Sequence, residues 1–335
     1  MKLGSSDLAR IQMVQRQAIG ARGAMDKAAL EMTTAQAASR FEATGGNLTR
    51  LFALERSLDR NQVFSDTIAL TGMRLEVMQS AFGQLLAPTA DLQVDLANAV
   101  GVHDVSTGRI HATRARQAFT DAAGLLNTRV SGQALFAGTA TDRRALEGAE
   151  AMLADLDALA AGAATGADAA AAIEAYFTAP AGGFFADAYT GSNDPLTAVE
   201  IGEGSRLDYQ VKATDPEIVS LLKSHALAAV VAGGAFAGDD DSQIELLAAS
   251  GRAMVQARED ILGLQARVGV SQQVVETAKA ERVAERDTLD LARSKMVGVD
   301  DAEAASTYQA YKVQLEALYT VMANLSELRF SNYMR

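Results

Sequence analysis

The sequence has no cysteine and no tryptophan, only four prolines, and few aromatic residues, 5% of its 335 positions. Without thiols there are no disulfides, no thiolate chemistry and no zinc centre built on sulfur. This leaves the compartment open, since extracellular proteins also occur without cysteine. Scarce proline removes the strongest helix breaker. Hydrophobic residues reach 49%, but much of that share is alanine, and thin alanine-rich stripes suit long helices better than one thick core. Positive charge is also in the minority: 30 Lys and Arg against 42 Asp and Glu leave a net charge of -12. Such a surface excludes a general binder of nucleic acid or of an anionic membrane. Long apolar runs are missing too. The most apolar stretch, 226–237, is too short and too glycine-rich to span a bilayer. Asp7, Arg10, Arg16 and Arg22 interrupt any apolar core of an N-terminal leader. The expectation is a soluble chain that, if exported, leaves the cell without a cleaved signal peptide.

What the sequence does have is a coiled-coil rhythm at both ends. From Asp300 onward, Tyr308, Tyr311, Leu315, Leu318, Met322 and Leu325 alternate in steps of three and four, which places them on one seam of a helix. Asp300 with Glu303 forms a capping pair at its start. Near the other terminus Ile11, Val14, Ala18, Ala21, Met25, Ala28 and Met32 follow the same alternation. An apolar stripe of this kind is most often an intramolecular core. At the extreme ends of a chain, where helices fray without neighbours, it also points to assembly with other molecules.

Between the ends, a helix over residues 5–36 gives way to a hinge at Thr44-Gly45-Gly46-Asn47. Leu48, Leu51, Leu54 and Leu58 resume the helical pattern. A heptad run follows at Ile68, Leu75, Met78, Phe82, Leu85, Leu92 and Leu96, with Pro88 inside it predicting a kink or short break. Further helices are predicted over 109–127, 142–160, 168–177 and 216–231. The segment 133–139 reads as a strand and turn. Residues 184–215 read as the clear β region, with Val199 and Ile201 alternating before Gly202-Glu203-Gly204 and Leu207, Tyr209 and Val211 after it, a hairpin. Ser242 with Glu245 reads as a second capping pair. Beyond it Leu247, Met254, Ile261, Val268, Val275, Leu289 and Met296 keep a period of seven, with Arg282 the exception, over a helix of about 50 residues.

The fold class expected is mainly α: long antiparallel helices nested by both termini, with a small α+β insert at the tip. The expected division is a terminal coiled-coil assembly domain of 1–43 with 298–335, an inner helical bundle of 44–140 with 241–297, and an insert domain of 141–240 carrying the hairpin.

Chemical motifs are weak. His103 and His111 lie eight apart, but no third ligand stands at metal spacing beside them apart from Asp104. Asp239-Asp240-Asp241 invites a calcium loop, yet Ile244 occupies the place of the required glycine. No phosphate-binding glycine turn, dinucleotide fingerprint or activated nucleophile is present. No catalytic residue, metal or cofactor is expected, and the chain is not expected to be an enzyme.

Laid out in this way the chain resembles the flagellin family, and within it the hook-associated protein 3 group. Leu135-Phe136-Ala137-Gly138-Thr139 with Thr141-Asp142 is similar to the family's stretch after the third inner helix. Tyr189-Thr190-Gly191 followed by Val199-Glu200-Ile201-Gly202-Glu203-Gly204 is similar to its insert hairpin. Val299-Asp300-Asp301-Ala302-Glu303-Ala304 is similar to the acidic start of its terminal helix, and Asn324-Leu325-Ser326 lies near the end. The family's basic turn and acidic proline-containing segment after the first helix have no counterpart between Thr33 and Gly46. The resemblance implies a secreted structural protein of the flagellum, exported unfolded by the type III apparatus with an export chaperone. It would self-assemble as a ring at the hook end, between hook-associated protein 1 and the flagellin filament. Two alternatives stay open. One is a filament flagellin, which the ending Arg329-Phe330-Ser331-Asn332-Tyr333-Met334-Arg335 resembles less; the other is a secreted helical-bundle toxin or translocator.

Overall fold

The structure, a computed structural model, describes residues 4–194 and 196–333, with side chains described over 9–194 and 196–325. The ending from Arg329 therefore lies outside the described side chains. In chain order the elements are α1 (Gly4–Thr34), α2 (Arg40–Ala43), α3 (Thr49–Gly101), α4 (Val105–Leu126), β1 (Arg129–Val130), β2 (Gln133–Ala134), α5 (Ala149–Ala161) and α6 (Gly166–Thr178). A π-helical turn (Phe184–Ala188), β3 (Val199–Gly202), β4 (Ser205–Leu207), α7 (Pro216–Ala232), α8 (Asp240–Val297) and α9 (Asp301–Tyr333) complete the chain. The fold is mainly helical, as the periodicity predicts. It divides into two units: residues up to Val63 with those from Arg282, and the continuous span Phe64–Glu281. Helices α3 and α8 contribute to both.

The continuous unit is built on α3 and α8. All seven heptad residues of α3 from Ile68 to Leu96 are buried, and so are Leu247, Met254, Ile261, Val268 and Val275 of α8. A Cβ placed at Gly72 would lie 3.4 Å from Val275, and one at Gly251 would lie 3.9 Å from Leu96. These paired positions show that the two helices run antiparallel with glycine at points of close approach. Helix α4 lies along α7. The α4 face is mostly alanine, with Ala112, Ala115, Ala118, Ala122 and Ala123 buried around Phe119. Helix α7 is apolar on nearly every side, so it is a core helix; the run beginning at Ala226 is its buried end.

Three local expectations need correction. Helix α3 continues through Pro88 without a break. Gln84, whose carbonyl loses its usual amide partner there, opens onto a groove of about 660 Å³ where water has access. The buried neighbours Leu85 and Leu92 hold the helix on both sides. Helix α8 begins at Asp240, before Ser242. Its cap is Asp239, whose carboxylate accepts from the Ser242 amide at 3.2 Å, while Glu245 accepts from the Ala167 amide at 3.1 Å. Lastly, β4 stops at Leu207. Tyr209 and Val211 keep the alternating burial of a strand, but their segment packs as an extended chain outside the ladder.

The segment just after α4 also contains a hairpin the sequence hid. β1 and β2 are joined by Ser131 and Gly132, with φ of 50° and 79°. A two-residue turn needs both of these left-handed conformations. Two of the segments that carry the family resemblance pack together. Ala137 accepts from the Ser192 amide at 2.9 Å, and Phe136 accepts from the Ala213 amide at 2.9 Å. Gly138 has φ of 61°, and a Cβ there would collide with the Ser192 carbonyl oxygen. Arg116 of α4 ties α5 to α7: its guanidinium donates to both Asp157 oxygens at 3.1 and 2.8 Å and to the Ala229 carbonyl at 3.3 Å.

Candidate assembly surface

The discontinuous unit brings the chain ends together. Residues 35–37 run antiparallel to 297–299, with Gln36 bridged to Gly298. The Ala37 amide donates to the Val297 carbonyl at 2.8 Å, and the Val299 amide donates to the Ala35 carbonyl at 3.2 Å. This short ladder fixes the register of α1 on α9. Asp300 then caps α9, accepting from the amides of Ala302 at 2.8 Å and Glu303 at 3.3 Å. Beyond the ladder α1 and α9 lie along one another as an antiparallel pair.

Ala18, Ala21 and Leu315 form the buried centre of this pair, with Met25, Tyr311, Leu318 and Met322 packed around them. Ala28 is buried, and Ile11, Val14, Tyr308 and Leu325 are half-buried. Met32 is the residue that stays out, 41% exposed near the end of α1. The pairing is small against large: alanines of α1 receive Leu and Tyr side chains of α9. Such a seam lets the axes approach closely but removes little apolar area from water, so it stabilises the pair weakly for helices of 31 and 33 residues.

Ala35, the pivot of the ladder, has φ of 53°. Its amide closes the last turn of α1 on the Glu31 carbonyl at 2.9 Å, the helix end that glycine fits best. Ala35→Gly is expected to raise the stability of this unit by about 0.5 to 1 kcal/mol, because relief of the left-handed conformation exceeds the glycine entropy cost. Denaturant unfolding of the two proteins checks this; a loss of stability would contradict the pivot geometry.

A second apolar face was not read from the sequence. On α9 Val313, Ala317 and Val321 stand at i, i+4 and i+8 on the side away from the seam, all exposed, Val313 to 61%. On α1 Ile19, 74% exposed, and Leu30 lie three turns apart on the side away from Leu315. The signal was present as helical spacing, but the stronger 3-4 seam overlaps it in the same residues' neighbourhood. Gly20 and Gly23 also lie within α1, with nothing inside 4 Å of a Cβ added to either. Glycine in a helix interior costs about 1 kcal/mol relative to alanine, and no contact among the described residues requires it.

The residues weighed for chemistry are accounted for as surface structure. His103 sits in the turn before α4, its Nε2 3.4 Å from Asp241, whereas His111 lies on α4 with Nδ1 3.5 Å from Asp95. Asp240 meets Arg109 at 3.3 Å. Among the described residues no cluster of metal-ligating side chains occurs, and no helix is long and apolar enough to cross a membrane.

Residues 252–333 match the bacterial flagellin C-terminal helical region. That span covers all of α8 but its first twelve residues, and the whole of α9. No curated protein matches the chain in sequence. In fold it is similar to FlgL of Bacillus cereus, with a TM-score of 0.51 and 14% identity over 72% of this chain and 100% of that one. It is likewise similar to a putative flagellar hook-associated protein from Vibrio parahaemolyticus, with a TM-score of 0.52 and 15% identity over 73% of this chain and 95% of that one. The chain thus shares the overall fold of these two proteins.

Proposed function

We propose that this chain is an extracellular hook-filament junction subunit, which joins hook-associated protein 1 to the flagellin filament and assembles with copies of itself as a ring at the hook end. The observation that carries the reading is the outer face of the α1 and α9 pair. Apolar residues and two unexplained glycines there lie uncovered among the described residues, open to a neighbouring molecule. The thin inner seam supports it as well, since a pair this weakly buried gains most of its order from neighbours. Export through the type III apparatus with a chaperone suits a chain without disulfides. The thirteen seam residues, from Ile11 to Met32 and Tyr308 to Leu325, are the part of the surface we assign to holding the terminal pair in its assembling form. Deleting the gene tests the reading: cells should build hooks and shed flagellin monomers into the medium. Cells that kept full filaments would overturn it, and cells with hooks, ring and no shed monomer would favour a filament flagellin.

The glycines supply a sharper expectation. Replacing Gly20 and Gly23 by alanine should stabilise α1 by about 1 kcal/mol per site. The same change should weaken incorporation into the junction, because each methyl group stands between this helix and a closely approaching neighbour. Unfolding of the purified variant and swimming of the complemented strain report the two effects separately. Higher stability together with normal swimming would remove the glycines from the interface.

A further inference from the structure

Arg74 projects from α3 towards the hairpin of the insert. Its Nη1 donates to the Tyr209 hydroxyl at 3.1 Å, and its Nη2 donates to the Gln133 side-chain oxygen. Both acceptors are neutral, so hydrogen bonding leaves the guanidinium charge uncompensated. Its Nε is buried and has no acceptor among the described residues. Gln210, in the extended segment after β4, shows the same deficit. Its Oε1 accepts from the Leu196 amide at 2.6 Å, which fixes the orientation of the side-chain amide. Its Nε2 is therefore a donor, and it too is buried with no acceptor among the described residues.

Arg74 and Gln210 line one cavity of about 50 Å³, walled by Met78, Leu135, Val199 and Leu207 and also by the exposed Asp208, whose carboxylate accepts from the Gln210 backbone amide at 3.3 Å. A single water needs about 10 to 15 Å³ on this measure, so the space accepts a group of several heavy atoms. A buried donor without a partner is unfavourable, and a guanidinium is matched best by a planar oxyanion. Two orphan donors and one positive charge, in a cavity whose walls are mainly apolar and whose one acidic residue, Asp208, is exposed and bonded to backbone, favour an acceptor that is small and negative.

The geometry points to a carboxylate-binding site between α3 and the β3–β4 hairpin, filled by a free small carboxylate or by an Asp or Glu side chain of a second copy of this chain. The chain's own excess of 42 acidic over 30 basic residues supplies carboxylates in abundance on any neighbouring copy. Once filled, the site links the helix to the hairpin through a charged group in place of a neutral contact.

Sodium acetate titrated into the full chain, against sodium chloride at matched ionic strength, tests the site by thermal unfolding. A saturable rise in Tm of about 5 °C with acetate alone is expected. Arg74→Gln should abolish it. Gln210→Glu, which replaces the orphan donor by a carboxylate, should also abolish it and serves if the first variant does not fold. Sedimentation velocity distinguishes the sources. Self-association weakened at least tenfold by either variant identifies a second copy as the occupant, whereas acetate stabilisation without self-association identifies a free carboxylate. If acetate acts no differently from chloride and the variants leave self-association unchanged, or if either variant keeps the acetate response, the assignment is wrong.

Discussion

Leu315→Asp should abolish junction assembly while leaving the continuous unit folded. Leu315 is the one large side chain at the buried centre of the terminal pair, enclosed by Ala18 and Ala21. Its burial contributes about 2 kcal/mol, and a carboxylate in its place finds no partner among methyl groups, a further penalty of several kcal/mol. The terminal seam has little else to offset the loss, because the facing positions of α1 are alanines. Residues 64–281 have a separate core in which Phe82, Phe119 and Phe136 are fully buried, so their unfolding transition should stay within about 2 °C of the wild-type value. Calorimetry of the purified variant reads the second effect, and swimming of a strain carrying it reads the first. A motile strain would refute the role assigned to the seam, and joint loss of both transitions would refute the independence of the units.

Acidification should destabilise the continuous unit through one residue. His225 is buried on α7, and its Nε2 lies 3.0 Å from the Thr89 hydroxyl. That hydroxyl donates to the Leu85 carbonyl at 2.8 Å, so it accepts from His225 and the imidazole carries its proton on Nε2. Nδ1 is buried with no partner, and a second proton there would have nowhere to donate. Burial accordingly pushes the His225 pKa down from 6.5 to about 4.

The sign follows from which state binds the proton. Above about pH 6.5 the imidazole is neutral in both states and contributes no pH dependence. As pH falls below that value the unfolded chain takes up a proton that the folded chain refuses, so stability declines. The loss is complete near pH 4, where the folded protein also protonates. Its full size is about 3 kcal/mol, which corresponds to about 6 to 12 °C in Tm for a unit of this size. His225→Gln, which keeps a donor for Thr89, should remove this part of the slope. The difference between wild type and variant isolates it from the carboxylates; identical profiles between pH 7 and 4 would show that His225 titrates normally.

The long helices and their buried faces were legible because heptad spacing reports burial directly: every α3 heptad residue from Ile68 to Leu96 lies in the core. Boundaries were less so. Asp239, Ser242 and Glu245 all offer capping side chains within one turn, and the choice among them depends on Ala167 of another element claiming Glu245. Pro88 predicted an interruption that tertiary packing overrides. The β1–β2 hairpin was hidden because Ser131, an ordinary turn residue, occupies a left-handed position usually marked by Asn or Gly. At the surface, the α1 and α9 seams could be paired from sequence alone. The outer stripe of Val313 and Val321 and the unexplained Gly20 and Gly23 required knowing which side of each helix was already covered. The Arg74 and Gln210 site was invisible, since nothing in the spacing of residues 136 positions apart places their donors on one cavity.

A cryo-EM map of the hook-filament boundary in intact flagella addresses the central claim most directly. It should show this chain at that boundary, with Ile19 and Leu30 of α1 and Val313 and Val321 of α9 covered by neighbouring subunits and backbone passing close to Gly20 and Gly23. A map in which these faces meet only solvent, or in which the chain is absent from the flagellum, would contradict it.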